Sequence, residues 1–217
     1  MLHRIFHIAR RDLTLEFRER YSFLSAILYL IAITFIVYKV FGRIEPPTRI
    51  GLFWILILFT CINVVSYSFS FHGQKRKYYH YILYRSYELI IAKWLINLVK
   101  MLIAGFLLVL LQSIFADEPM KDIALFSKVY LLSIIGMTAA MTLISSISSY
   151  SQNQNTLIAI MSIPLLIPIL LVGMRLSLIS ERIIVDTEIN NYLIMLVGIN
   201  IVYIAILIIF IPLTWKA

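Results

Sequence analysis

The chain has 217 residues, of which 61% are hydrophobic and 14% are charged, and its formal net charge is +8. A soluble domain carries roughly a quarter charged residues, so the polar surface here is too small to cover a water-exposed globule. The composition therefore excludes a soluble enzyme and indicates one integral membrane domain over residues 1–217. In such a chain the excess of basic residues reflects membrane topology rather than nucleic-acid binding.

The first 21 residues have the pattern of an amphipathic helix. Apolar residues recur every three or four positions from Leu2 to Tyr21, and Glu16 and Arg20 are spaced to pair on a helix. Arginines and acidic residues occupy much of the remaining surface. We therefore expect a helix over 1–21 that lies on the cytoplasmic membrane surface before the first span.

Six apolar stretches follow, each near the ~20 residues needed to cross about 30 Å of hydrocarbon. We expect helices, because a segment in lipid must pair its own backbone groups, and because the alternation typical of barrel strands is missing. The expected fold class is an all-α integral membrane protein with six transmembrane helices, the fifth being the shortest. The predicted spans are 22–41, 51–71, 94–115, 127–149, 157–174 and 192–213.

Lysine and arginine are more frequent in the segments that lie inside when the N-terminus is cytoplasmic, chiefly 1–21 and 72–93. This bias predicts that both termini are cytoplasmic. Lys100 lies within the third span, and its long side chain is expected to reach the inner interface. The tryptophans fall near span ends, as interface anchors do.

Motifs for chemistry are missing from the sequence. It contains no Gly-x-x-x-x-Gly-Lys-Ser/Thr phosphate loop, no Ser/His/Asp or His-Glu-x-x-His arrangement and no paired carboxylates. The single cysteine, Cys61, allows neither an intrachain disulfide nor a cysteine metal cluster. We therefore predict no catalytic or metal-binding residue, and few ionisable groups in the spans argue against a proton- or sodium-coupled carrier.

The segment 72–93, between the second and third spans, is basic and rich in tyrosine. Two interpretations remain open. The segment forms either a short helix along the membrane that docks a cytoplasmic partner, or an interfacial aromatic belt with positive charges on the inside.

The fifth span carries Pro164 and Pro168 four residues apart, with Gly173 after them. Each proline removes a backbone donor and bends a helix. Two prolines in one span favour a bent or broken helix near a pathway, although transmembrane helices also tolerate prolines.

The order of these features resembles an ABC-2-type permease, and more closely the CcmB family, known as haem exporter protein B. Three stretches carry the resemblance: 15–21, which leads into the first span, 71–93 between the second and third spans, and the proline-containing stretch 164–173. The resemblance covers nearly the whole chain.

The resemblance implies a permease subunit of the bacterial inner membrane, itself no enzyme, that pairs with a separate CcmA-like ATPase. ATP would bind to that partner. CcmC- and CcmD-like membrane proteins would handle haem and present it to a CcmE-like periplasmic chaperone, so no cofactor is expected on this chain. A homodimer of the chain is expected within the complex.

Under this interpretation, nucleotide-driven motion enters at the docking segment and passes through the fifth span to the outer face, where the haem-loaded chaperone is released. Two other functions stay open from the residues alone: the permease of another ABC-2 exporter for a lipid, glycan or drug, and a membrane scaffold that transports nothing. The residues assigned to docking are Arg76, Tyr78, Tyr79 and Ser86, and those assigned to the conformational step are Pro164, Pro168 and Gly173.

Overall fold

The fold is a bundle of six α-helices, described by a computed structural model. No β-strand occurs in the part of the chain that is described, which comprises residues 21–66, 86–116, 120–149, 151, 153–184 and 188–210. The predicted amphipathic helix over 1–21 lies, except for its last residue, outside these residues. In chain order the helices are α1 Tyr21–Phe41, α2 Pro46–Ser66, α3 Ser86–Phe115, α4 Ile123–Ser148, α5 Gln154–Ser180 and α6 Ile189–Phe210.

Each of the six helices is long and apolar enough to cross a bilayer, which confirms the six-helix, all-α prediction. Two helices extend well past their predicted spans. The third begins at Ser86 rather than at Trp94, and the fifth continues from Met174 to Ser180, so it has 27 residues and is not short. The apolar run ends at Arg175, but its guanidinium lies 4.7 Å from the ring centre of Tyr192, and the helix continues past the charge.

The fourth helix is the centre of the bundle. It is buried on nearly all sides, whereas α1 and α6 turn most of their surface outward. Small residues such as Gly136, Ala139 and Ala140 lie on α4 and are buried. Membrane helices approach each other closely at small residues, because lipid supplies no hydrophobic force between helices and packing must do so.

Tyr130 of α4 fixes this helix against α3. Its hydroxyl donates to the Met101 carbonyl at 2.6 Å, and its ring meets Phe53 of α2 edge-on with 5.5 Å between ring centres. A Cβ at position 105 would lie 1.8 Å from the Tyr130 oxygen. Glycine at 105 therefore makes the space that the tyrosine needs.

Asn200 joins α6 to α4 in a similar way. Its amide donates to the Leu132 carbonyl at 2.9 Å, and its oxygen would lie 2.0 Å from a Cβ at Gly136. An amide in hydrocarbon has no water to bond, so this contact fixes the outermost helix to the central one.

We expect Gly105→Ala to destabilise the protein, because the added methyl group overlaps a hydroxyl whose ring Phe53 holds in place. Overpacking of this kind costs about 1–3 kcal/mol. Gly198→Ala on α6 is the matched control, since a Cβ there meets nothing within 4 Å, and helix propensity should make it neutral or stabilising. Thermal unfolding of the two variants in detergent measures the difference, and equal melting temperatures would contradict this account of the α3–α4 contact.

Candidate functional site

The fifth helix runs through both prolines without a break in the helix. The break allowed by the sequence is therefore not found. Each proline lacks an amide hydrogen, so the carbonyls four residues earlier lose their partners within the helix. Between the prolines, the Tyr203 hydroxyl of α6 donates to the Leu165 carbonyl at 2.5 Å. The carbonyls that the prolines leave without an amide partner are those of Ile160 and Pro164, so this bond links α6 to the proline-containing turns without replacing a lost helical bond.

Gly173 is the point at which α5 meets two other helices. A Cβ there would lie 2.8 Å from the Trp54 ring of α2 and 3.0 Å from the Ser133 hydroxyl of α4. By contrast, Pro164 faces outward and Pro168 is half-buried. Of the three residues assigned to the conformational step, Gly173 therefore has the closest contact with the rest of the bundle.

Trp54 of α2 also contacts α5 through a hydrogen bond. Its indole N–H donates to the Ser177 hydroxyl at 3.1 Å, and that hydroxyl donates to the Gly173 carbonyl at 2.7 Å. The side chain is 1% exposed, so the sequence-based prediction of an interface anchor is wrong for Trp54. Trp54 is near the start of the predicted span 51–71, but α2 begins at Pro46, so Trp54 is close to the middle of the helix and lies inside the bundle.

An ion pair follows one turn beyond this contact. Arg49 Nη2 lies 2.7 Å from Glu181 Oε1, and the two side chains are 4% and 2% exposed. Arg49 is in the first turn of α2 and Glu181 caps the end of α5. Each charge has the wrong sign for the dipole of its own helix, so the pair is stabilised by the contact between the two helices. Sequence reasoning counted Arg49 only as a topological charge and did not identify the pair.

These contacts lie at one end of the bundle, which we call the Glu181 end. There α1, α3 and α5 finish and α2, α4 and α6 begin. Gln112 of α3 reaches the same place, since its amide donates to the Arg49 carbonyl at 3.4 Å. The ring of Tyr38 on α1 stacks on Phe115 of α3 with 5.8 Å between centres.

Hydroxyl and amide groups join the helices nearer the opposite end. Trp94 and Asn97 of α3 donate to Thr138 and Thr142 of α4 at 3.1 and 3.2 Å, and Ser145 of α4 donates to the Val65 carbonyl of α2 at 3.2 Å. These bonds connect three helices near the segment predicted to dock a partner.

Lys100 is also buried, with 7% of its surface exposed, in the middle of the 30-residue α3. We had expected it to lie close to the inner interface, but α3 begins eight residues before the predicted span, so Lys100 is further along the helix. Its side chain is packed within the protein.

The residues assigned to docking are only partly within the described chain. Arg76, Tyr78 and Tyr79 lie outside it, and Ser86 is the first residue of α3. Residues 86–93, the last eight of the 72–93 segment, therefore form the first turns of a spanning helix. The docking role of these residues stays a prediction.

Among the described residues, no group of three histidine, cysteine, aspartate or glutamate side chains is arranged to hold a metal ion. The four histidines of the chain, at positions 3, 7, 72 and 80, all lie outside that part.

Comparison with known proteins identifies the family. The family model described as "CcmB protein" matches residues 3–214, which is nearly the whole chain. No curated protein and no solved structure matches the chain. The family match spans all six helices and the segment between α2 and α3. The chain therefore belongs to the CcmB family, the haem exporter protein B family, and is a multi-pass membrane permease component of a cytochrome c maturation ABC transporter.

Proposed function

We propose that this subunit transmits movement rather than haem. A separate CcmA-like ATPase docks on the 72–93 segment, and ATP hydrolysis there moves the bundle. The motion reaches the Glu181 end, where it frees a haem-loaded CcmE-like chaperone from a complex with CcmC- and CcmD-like proteins. Two copies of the chain form the membrane core, and haem and ATP are held by the partners.

The observation that carries this proposal is the join between α5 and α2. Over about two turns of α5, the Gly173 contact, the Trp54–Ser177 hydrogen bond and the Arg49–Glu181 ion pair connect the same two helices. Parting a buried ion pair leaves two uncompensated charges, at a cost of several kcal/mol per ion. A displacement of α5 is therefore passed to α2 and is not lost to lipid.

The middle and the C-terminal end of α5 suit different parts of this task. Near its middle, the prolines weaken the regular hydrogen-bond ladder of the helix, and Tyr203 of α6 binds the Leu165 carbonyl between them. Near its end, the contacts with α2 are close and polar. A helix that bends at its middle and is bound to α2 at one end can tilt while its contacts with α2 are kept.

We place the Glu181 end at the periplasmic face of the bacterial inner membrane, with both termini in the cytoplasm. The lysine and arginine bias supports this orientation. In this orientation the docking segment faces the cytoplasm, where ATP is available, and the α5–α2 join faces the chaperone.

Deleting the chain tests the proposal as a whole. We expect c-type cytochromes to disappear while haem stays covalently attached to a small chaperone band, because loading continues and release does not. A haem stain of membrane and periplasmic proteins measures both, with re-expression of the chain as the control. Unchanged cytochromes would argue against any role in their maturation, and loss of haem from the chaperone band would place the chain before loading.

Replacing Tyr78 and Tyr79 with alanine tests the docking segment. We expect less ATPase to co-purify with the chain, because large aromatic side chains contribute much of the binding energy at protein interfaces. Tyr29→Ala is the control, since Tyr29 is exposed on the outward surface of α1. Normal ATPase recovery with the double variant would remove the docking assignment.

The Arg49–Glu181 pair tests the transmission step. Arg49→Gln or Glu181→Gln leaves one buried charge without its partner, a change that costs about 3–5 kcal/mol. We expect each single variant to lower cytochrome content per amount of chain in the membrane, and the double variant to recover part of the loss. ATPase co-purification should stay normal, because docking occurs at the other end.

The matched controls for this cycle are Arg182→Gln and Glu45→Gln, which remove exposed charges at the same end of the bundle. They should mature cytochromes normally. Full activity in both single variants of the pair would show that the ion pair is not needed for transmission.

A further inference from the structure

Polar side chains from three helices converge beside the ion pair at the Glu181 end. Gln112 of α3 bonds to the Arg49 carbonyl, and Phe115, one turn further on α3, stacks on Tyr38 of α1. Gln112 therefore reaches Arg49 from α3, and Tyr38 of α1 packs on the adjacent turn of α3, with Glu181 bound to the Arg49 guanidinium.

Two oxygen atoms in this group are buried without a hydrogen-bond partner in the described part of the chain. They are the Tyr38 hydroxyl and the Gln112 carboxamide oxygen, on side chains that are 6% and 1% exposed. Such atoms are costly in hydrocarbon, and most buried polar groups in proteins have a partner. Tyr130, whose exposed fraction is similarly small, donates its hydroxyl to the Met101 carbonyl.

Thr34 shows the same feature one turn before Tyr38 on α1. Helical threonines commonly donate to the carbonyl four residues earlier, as Thr60 and Thr138 do here at 2.7 Å. The Thr34 hydroxyl is fully buried, yet among the described residues it has no such partner. The unpaired oxygens therefore follow one face of α1 toward the ion pair.

The chemistry of the group restricts the ligand. A cation would be repelled by Arg49, and an anion would be repelled by the Glu181 carboxylate and the Gln112 oxygen. The ligand that fits is a small neutral molecule that accepts a hydrogen bond from the Tyr38 hydroxyl and donates one to the Gln112 carboxamide oxygen. Water meets this requirement and can make about three hydrogen bonds in a buried site.

We propose that α1, α2 and α3 enclose a buried hydration site, in which a water molecule links the Tyr38 hydroxyl to the Gln112 carboxamide oxygen beside the Arg49–Glu181 pair. Its consequence for movement rests on the function proposed above. Water at this place solvates the two charges when they part, which lowers the cost of separating α5 from α2. The hydration site itself does not depend on that function.

X-ray radiolytic labelling of the full chain in lipid nanodiscs tests the site, because hydroxyl radicals formed from bound water oxidise adjacent buried side chains. We expect Tyr38 to be oxidised several-fold faster than Tyr130, a control with a similarly small exposed fraction that lies deeper in the bundle and whose hydroxyl already has a protein partner. Equal labelling of the two tyrosines would overturn the proposal. That result would leave the transmission role intact, since it is read from cytochromes.

The variant Tyr38→Phe gives a second, independent measurement. If the hydroxyl bonds to water, its removal should lower the melting temperature by about 2–4 °C, the shift that corresponds to one hydrogen bond in a chain of this size. Tyr130→Phe, which loses a bond to Met101, is the reference for such a loss. A higher melting temperature for Tyr38→Phe would show that the hydroxyl has no partner, and would contradict the site.

Discussion

The hydrocarbon of the bilayer offers no bulk water, so a polar group placed there needs a partner in the protein or in water that the protein encloses. In this chain the partners are mostly on other helices. Trp54, Asn97, Tyr130 and Asn200 each bond to a neighbouring helix, and each of these bonds fixes the position of one helix against another. The same constraint that makes the helices form individually therefore also determines how they assemble.

The helices approach each other closely at glycine residues, which have no side chain. Gly105, Gly136 and Gly173 each lie where a neighbour's tyrosine, asparagine or tryptophan occupies the space of a Cβ. Apolar side chains in lipid gain little from leaving it, so close packing and hydrogen bonds replace the hydrophobic effect between helices. A glycine and a polar or aromatic side chain thus act as a pair at three separate contacts of the bundle.

The fifth helix combines a weakened middle with a strongly held end, and this combination is suited to a permease that transmits movement. Pro164 is exposed and Pro168 is half-buried, while Gly173 and Glu181 make close contacts with α2. The ion pair is more costly to break than a hydrogen bond between neutral groups. In the proposed hydration site, water solvates Arg49 and Glu181 when they separate. The contact between α2 and α5 is then both stable and reversible.

The six helices and their fold class could be predicted from the sequence, because the length of an apolar run is a local property that the bilayer thickness dictates. The family was also recognisable from the order of three stretches. The start of α3 and the end of α5 could not be predicted, because the charges at Lys93 and Arg175 interrupt an apolar run without ending a helix. Likewise, only the tertiary structure pairs Arg49 with Glu181, 132 residues apart, because the partner of a charge depends on which helix faces it.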